Sequence, residues 1–245
     1  MIKCVLITGA SRGIGASTAK IFAQNNYNVV INYNTNKEEA INLSKELETK
    51  YNIETLIIKC DISNEEEVIN MVEESIKRFN KIDVLVNNAG IAIDTTFEDK
   101  TVTNFRKTLD VNLIGTFLVS KYVGKYMLKE KNGSIINVSS TNGIDTNYIE
   151  SLDYDASKAG VISLTNNLAS AYAPYIRVNT VAPGWINTDM NKELDKDFIN
   201  KETGKILLNR FAEPDEVAKV IFFLASDQAS YINSSIIRVD GGKNV

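Results

Sequence analysis

Strand-like and helix-like segments alternate through the 245 residues of this sequence, which predicts an α/β fold: a doubly wound, seven-stranded parallel sheet with helices on both faces. Two further observations point the same way. The strand-like runs are continuously apolar, as in strands covered on both faces. The first of them also passes through a glycine-rich turn straight into a helical pattern, the local form of a Rossmann-type nucleotide-binding unit. In order, strands are read at "CVLIT" (4–8), "NVVIN" (28–32), "TLIIK" (55–59), "DVLVN" (83–87), "SIINV" (134–138), "IRVNTV" (176–181) and "IIRVD" (236–240). Helical patterns lie at about 13–25, 37–50, 65–79, 103–130, 155–173 and 214–225. Asn64 followed by Glu67 has the form of a capping box at the third helix, and Pro214 after Glu213 suits the first turn of the last. With no linker, repeat or low-complexity stretch, residues 1–245 are expected to form one domain. The polar, lysine-rich stretch at about 186–210 is too long for a simple connection and reads either as a lid over a site or as a solvated helical excursion.

Composition narrows the function classes. Hydrophobic residues make up 44% and charged residues 24%, as in an ordinary soluble globular chain. A net charge of -4 gives no electrostatic reason to bind nucleic acid or an anionic membrane. No apolar run approaches membrane-spanning length, and the N-terminus enters a strand without a signal-peptide pattern. Cys4 and Cys60 both sit in apolar runs, so buried thiols in a reducing cytoplasm are expected rather than a disulfide. There is no histidine, and the two cysteines are distant, so no metal-ligand cluster is expected.

Gly9, Gly13 and Gly15 give the turn "TGASRGIG" the spacing G-x-x-x-G-x-G. A pyrophosphate must approach the backbone closely and sit on free N–H groups at a helix N-terminus, and a side chain at any of the three would intrude. An acid at the end of the second strand would select NAD by accepting from the ribose 2′-OH. That strand instead ends "INYNTNK", with no acid before Glu38, while Arg12, Asn34 and Lys37 stand nearby. A guanidinium suits a 2′-phosphate, so NADP(H) is favoured; the other reading makes Arg12 and Lys37 plain surface charges with NAD bound.

Without histidine, proton chemistry near neutral pH falls to another group. Tyr154 and Lys158 in "YDASKAG" share one helix face at i and i+4. The spacing alone means little, because Tyr33 and Lys37 repeat it at the adenosine end of the expected site. The company of Tyr154 singles it out, since the strand "SIINV" leads into Ser139 and Ser140 at the sheet edge where such folds place ligands. Taken with "NNAG" (87–90), Asn112 in "DVNLIGTF", "NVSS" and "VAPGWINTDM", the sequence resembles the short-chain dehydrogenase/reductase family over essentially its whole length. Within that family it is most similar to the bacterial 3-oxoacyl-(acyl-carrier-protein) reductases.

The resemblance implies a catalytic tetrad of Asn112, Ser140, Tyr154 and Lys158, and NADPH-dependent reduction of a 3-oxoacyl thioester to the 3-hydroxyacyl thioester in fatty-acid synthesis. Tyr154 would protonate the ketone oxygen and Ser140 would donate to it. Lys158 would hold the nicotinamide ribose, and Asn112 would fix a water linking Lys158 to solvent. An ammonium at ~4 Å and an effective dielectric of ~20 would favour the phenolate by about 4 kcal/mol, or roughly 3 pKa units at most, bringing Tyr154 toward neutrality. The implied cofactor site adds Ser11 and Ile14 in the glycine turn, Asp61 and Ile62, Asn88, Ala89 and Gly90, and Pro183, Gly184, Ile186 and Thr188 to Tyr154 and Lys158. Trp185 either walls the pocket or packs elsewhere. Taken singly, Asn112 could be a helix-packing polar group, Ser140 a turn residue and Tyr154 an interfacial aromatic.

The sequence also departs from the resemblance. The segment "TNGIDTNYIESLD" between Ser140 and Tyr154 is about one residue longer, which bears on substrate more than on chemistry. Lys129 and Lys131 are the available basic patch for an acyl carrier protein, and "YINSS" stands where a glycine is usual. Homotetramer formation through the helices 103–130 and 155–173 is implied by resemblance. The alternatives are a reductase or dehydrogenase for another ketone or alcohol, such as a sugar, polyol or steroid, and a nucleotide-sensing protein without turnover.

Overall fold

The computed structural model describes residues 2–188 and 194–242. The strands are β1 (Lys3–Ile7), β2 (Tyr27–Tyr33), β3 (Thr55–Lys59), β4 (Val84–Asn87), β5 (Gly133–Val138), β6 (Ile176–Pro183) and β7 (Ile236–Val239). All pair in parallel, in the order β3-β2-β1-β4-β5-β6-β7. Chain order reverses between β1 and β4, which opens a crevice at their carboxyl ends. The helices are α1 (Gly13–Gln24), α2 (Lys37–Tyr51), α3 (Glu65–Phe79), α4 (Val102–Leu109), α5 (Thr116–Glu130), α6 (Leu152–Tyr172), α7 (Lys196–Thr203) and α8 (Pro214–Ala225).

Successive side chains of a strand point to opposite faces, so the sheet divides two cores. Val5 and Ile7 of β1 pack with Phe22, Leu47 and Ile221 under α1, α2 and α8, whereas Cys4 and Leu6 pack with Met71, Val123 and Leu168 under α3, α5 and α6. Phe22 is fully buried and meets Tyr27 and Phe222 edge to face, with ring centroids 5.0 and 5.1 Å away.

Local chemistry sets the helix ends. Asn64 Oδ1 accepts from the backbone N–H groups of Glu66 and Glu67, but the expected capping box is only half formed: the Glu67 carboxylate accepts from the Asp61 N–H instead. Asn52 and Asn80 end α2 and α3 in the left-handed conformation, which asparagine tolerates well. Pro214 opens α8, and Glu216 accepts from the Glu213 N–H. The long helix expected at 103–130 is interrupted by a π-helical turn over Asp110–Gly115, where the Thr116 hydroxyl donates to the Asn112 carbonyl. Part of the stretch 186–210 is helix α7; its residues 189–193 lie outside the described residues.

Candidate active site

A cleft of about 830 Å³ runs along the carboxyl ends of the strands. The predicted cofactor-binding residues line it except Gly15, and Ser140, Tyr154 and Lys158 line it as well. Gly15 and Asn112 stand just behind its wall.

The glycine turn is shaped from both sides. A Cβ on Gly9 would stand 2.9 Å from Ala89 Cα, and one on Gly15 would stand 2.3 Å from the Gly9 oxygen. Gly13 departs from the crowding expectation: a Cβ there would meet Thr188 only at 3.5 Å, and its φ of +56° is what calls for glycine. Two residues that motif reading missed hold the turn. Buried Asn32 accepts from the Gly9 N–H at 3.1 Å and donates to the Cys60 carbonyl at 3.1 Å, tying the turn to the ends of β2 and β3. The Thr8 hydroxyl accepts from the N–H groups of Asn88 and Ala89, while the Asn88 amide donates back to the Thr8 and Gly9 carbonyls. The only available signal was a polar residue inside an apolar strand run.

At the end of β2 the cleft is lined by Tyr33, Asn34, Thr35 and Asn36, with exposed Arg12 nearby, and none of these is an acid. Lys37 begins α2 outside the cleft lining. Asp61 lines the cleft and accepts from the Ser63 N–H and hydroxyl.

At the chemical end, α6 presents Tyr154 and Lys158. Lys158 is buried, and its Nζ donates to the Val138 carbonyl at 2.9 Å and lies 5.4 Å from the Tyr154 ring centroid. Gly90 fills the space between Lys158 and Asn112, since a Cβ there would stand 3.3 Å from both. Asn112 Nδ2 donates to the Ile91 carbonyl and the Ser157 hydroxyl, and Oδ1 accepts from the Ile91 N–H, clamping the β4 loop to α6.

Tyr154 is not brought toward neutrality as expected. Burial pushes the Tyr154 phenol up to about 12, with the Ser140 hydroxyl pulling it down and the Asp155 and Asp94 carboxylates pushing it further up. Burial also pulls Lys158 down to about 8. Desolvation disfavours the charged form of each partner. Tyr154 therefore holds its proton at neutral pH.

Other groups around Tyr154 had no motif. Ser140 donates to Asn142 Oδ1 at 3.2 Å, and Asn142 Nδ2 donates to Asp155 at 2.6 Å. Asp153 and Lys100 form a buried ion pair at 2.8 Å, 0% and 5% exposed at the side chain, and the Thr108 hydroxyl donates to the second Asp153 oxygen at 2.7 Å. Asp94 lines the cleft, and burial holds its carboxyl above the usual range, with Lys100 acting against this and the neighbouring acids reinforcing it.

Comparison with known proteins agrees with this geometry. A family model described as enoyl-(acyl carrier protein) reductase matches residues 9–244. The 3-oxoacyl-[acyl-carrier-protein] reductase FabG of Thermotoga maritima is 40% identical over 242 residues, covering 98% of this chain and 97% of that protein. The crystal structure of levodione reductase superposes with a TM-score of 0.92 at 34% identity, covering 98% of this chain and 96% of that one. A structure of ElxO with NADP bound superposes with a TM-score of 0.90 at 34% identity, covering 99% and 98%. A parallel sheet with a glycine cradle at its first turn, Ser140 beside Tyr154, and full-length likeness to these reductases lead to one conclusion: the chain belongs to the short-chain dehydrogenase/reductase family.

Proposed function

We propose that the chain reduces a 3-oxoacyl thioester, presented by acyl carrier protein, to the 3-hydroxyacyl thioester in fatty-acid synthesis, with NADPH as reductant. The observation that carries the reading is Tyr154 beside Ser140 in a cleft whose other end is a dinucleotide cradle. The residues fit the cofactor. The space at Gly9 and Gly15 would be filled by a Cβ, the α1 N-terminus opens onto the cleft, and no acid stands at the end of β2. Arg12 and Asn34 would hold the 2′-phosphate.

NADPH supplies the hydride when bound. Tyr154 delivers its proton to the ketone oxygen as negative charge develops there. Ser140 turns its hydroxyl from Asn142 to donate to the same oxygen. Lys158, still largely ammonium at neutral pH, would hold the ribose hydroxyls and stabilise the phenolate left after proton transfer. Asn112 keeps the Ile91 backbone in place, and the second lone pair of its Oδ1 would serve the water that the family resemblance implies.

Residues 1–245 act as one cytoplasmic catalytic domain in this reading, with the stretch after β6 bordering the substrate. No helix among the described residues is long and apolar enough to cross a membrane. Exposed Ile114 and Phe117 suit homotetramer contacts along the long helices. Lys129 and Lys131 lie next to the amino end of β5, at the end of the sheet opposite the cleft. Incubation of the protein with NADPH and either acetoacetyl or crotonyl thioester, followed by mass spectrometry, tests the reading. It expects 3-hydroxybutyryl thioester from the first and unchanged crotonyl thioester from the second; butyryl thioester from the second, with acetoacetyl thioester untouched, would overturn it.

A second reading, reduction of a free ketone, draws on the cleft rim. Among the described residues, exposed Asp94 and Glu150 line the cleft with Lys107, while the other exposed cation, Arg12, lies at the cofactor end, a poor match for an acidic carrier.

A further inference from the structure

Three aromatic rings line the substrate end of the cleft on the side facing α7: Tyr148 from the β5–α6 connection, Trp185 from the turn after β6, and Phe198 from α7. They stand against one another, with centroids 5.7 Å apart for Tyr148–Trp185, 5.4 Å for Trp185–Phe198 and 6.4 Å for Tyr148–Phe198. Behind them, Trp185 stacks on buried Phe211 at 5.5 Å. One carboxylate joins the segments. Glu202 of α7 is 3% exposed, and its Oε2 accepts from the Tyr148 hydroxyl at 2.6 Å and from the Trp185 indole N–H at 3.3 Å. Lys205 pairs with Oε1 at 2.6 Å.

A buried acid is costly unless its oxygens are satisfied. Burial alone would push the Glu202 carboxyl up, but the bonds from Lys205 and Tyr148 bring it below the ordinary range, so it is ionised at neutral pH. An ionised acceptor strengthens the bond from each donor. The rings are thereby fixed as a wall rather than as side chains free to turn aside for a longer substrate. This resolves the two sequence readings of Trp185 in favour of the wall.

We infer that Glu202 is a specificity-determining residue: by pinning Tyr148 and Trp185 in the wall of the substrate end of the cleft, it biases the enzyme toward shorter 3-oxoacyl groups. The inference rests on the proposed thioester reduction. Glu202 touches neither substrate nor cofactor and acts through the two rings it holds.

The test compares kcat/KM for acetoacetyl and 3-oxooctanoyl thioesters of one small thiol in the wild type, Glu202→Ala, Glu202→Gln and Tyr148→Phe. Trp185 is the only tryptophan, so quenching of its emission by acrylamide reports the wall directly. The wild type should prefer the shorter acyl group. Glu202→Ala should lower that preference by about tenfold, the scale on which an apolar pocket discriminates chain length. It should also make Trp185 more quenchable and leave the KM for NADPH unchanged. Glu202→Gln keeps an acceptor at the ring side but loses its charge and the Lys205 pair, so preference and quenching should fall between those of the wild type and Glu202→Ala. Tyr148→Phe deletes one hydroxyl, keeps the ring, and should move preference in the direction of Glu202→Ala even if that variant folds poorly. No short-chain preference in the wild type, or a preference unaltered in both Glu202→Ala and Tyr148→Phe, overturns the inference. If NADPH binds but neither thioester reacts, the thioester reading fails. The pinning is then judged on quenching alone, and unchanged quenching in Glu202→Ala refutes it.

Discussion

In the proposed reaction, Tyr154 and Lys158 handle the proton in a chain without histidine. The pair is not a phenolate held by an ammonium. Lys158 is buried and Tyr154 half-buried in the cleft wall, and desolvation drives each toward its neutral form. That suits reduction, where the acid must arrive protonated. Tyr154→Phe should lower kcat for ketone reduction by about 10²–10⁴-fold, the usual contribution of a general acid. NADPH affinity, measured by fluorescence titration, should stay within about twofold, because the ring and its packing remain. Lys158 sets the pH response: its charged form is lost as pH rises past about 8. A profile of kcat/KM for NADPH reports free-enzyme groups and should fall above that pH; a flat profile to pH 10 would remove the ammonium from the reaction.

The elements around the tetrad were legible to different degrees. The seven strands and the helices α1, α2, α3 and α8 follow from apolar runs, caps and Pro214, all local signals. The π-helical turn at Asp110–Gly115 was not legible, because one extra residue in a turn leaves the surrounding periodicity almost unchanged. Nor was the Lys100–Asp153 pair, whose partners are 53 residues apart and carry no motif. This pair and Thr108 fasten α4 to the first turn of α6, next to Tyr154. Asp153→Ala should destabilise the fold by about 3–5 kcal/mol in urea denaturation, since Lys100 is left buried without its partner. Burial pushes the Asp153 carboxyl up, but the bonds from Lys100 and Thr108 bring it below its ordinary value. Its contribution is therefore full above the unfolded-state pKa near ~3.9 and fades as pH falls through the folded one, and the variant should lose that acid-side dependence. Ser234, before β7, has a φ of +58°, in the stretch where the family resemblance leads one to expect glycine. Ser234→Gly should raise stability by about 1 kcal/mol, read as a higher melting temperature, although it gives up an exposed bond to Asn166.

At the scale of the whole molecule, the cofactor end was more legible than the substrate end. A glycine turn and the missing acid after β2 are short sequence patterns with a fixed physical meaning. The substrate end is assembled from Tyr148, Trp185, Phe198 and Glu202, contributed by three segments far apart in sequence, and its shape exists only after folding. The position of Arg12 at the cleft predicts that Arg12→Ala weakens NADPH about 10–100-fold, the worth of a charge-assisted contact, while the KM for NADH stays unchanged. The most direct test of the proposed reaction follows absorbance at the NADPH band with an acetoacetyl thioester, run side by side with NADH. Rapid oxidation of NADPH and little of NADH is the predicted result. No oxidation of NADPH by a protein that still binds it, or equal use of both nucleotides, would contradict the assignment of substrate or of cofactor respectively.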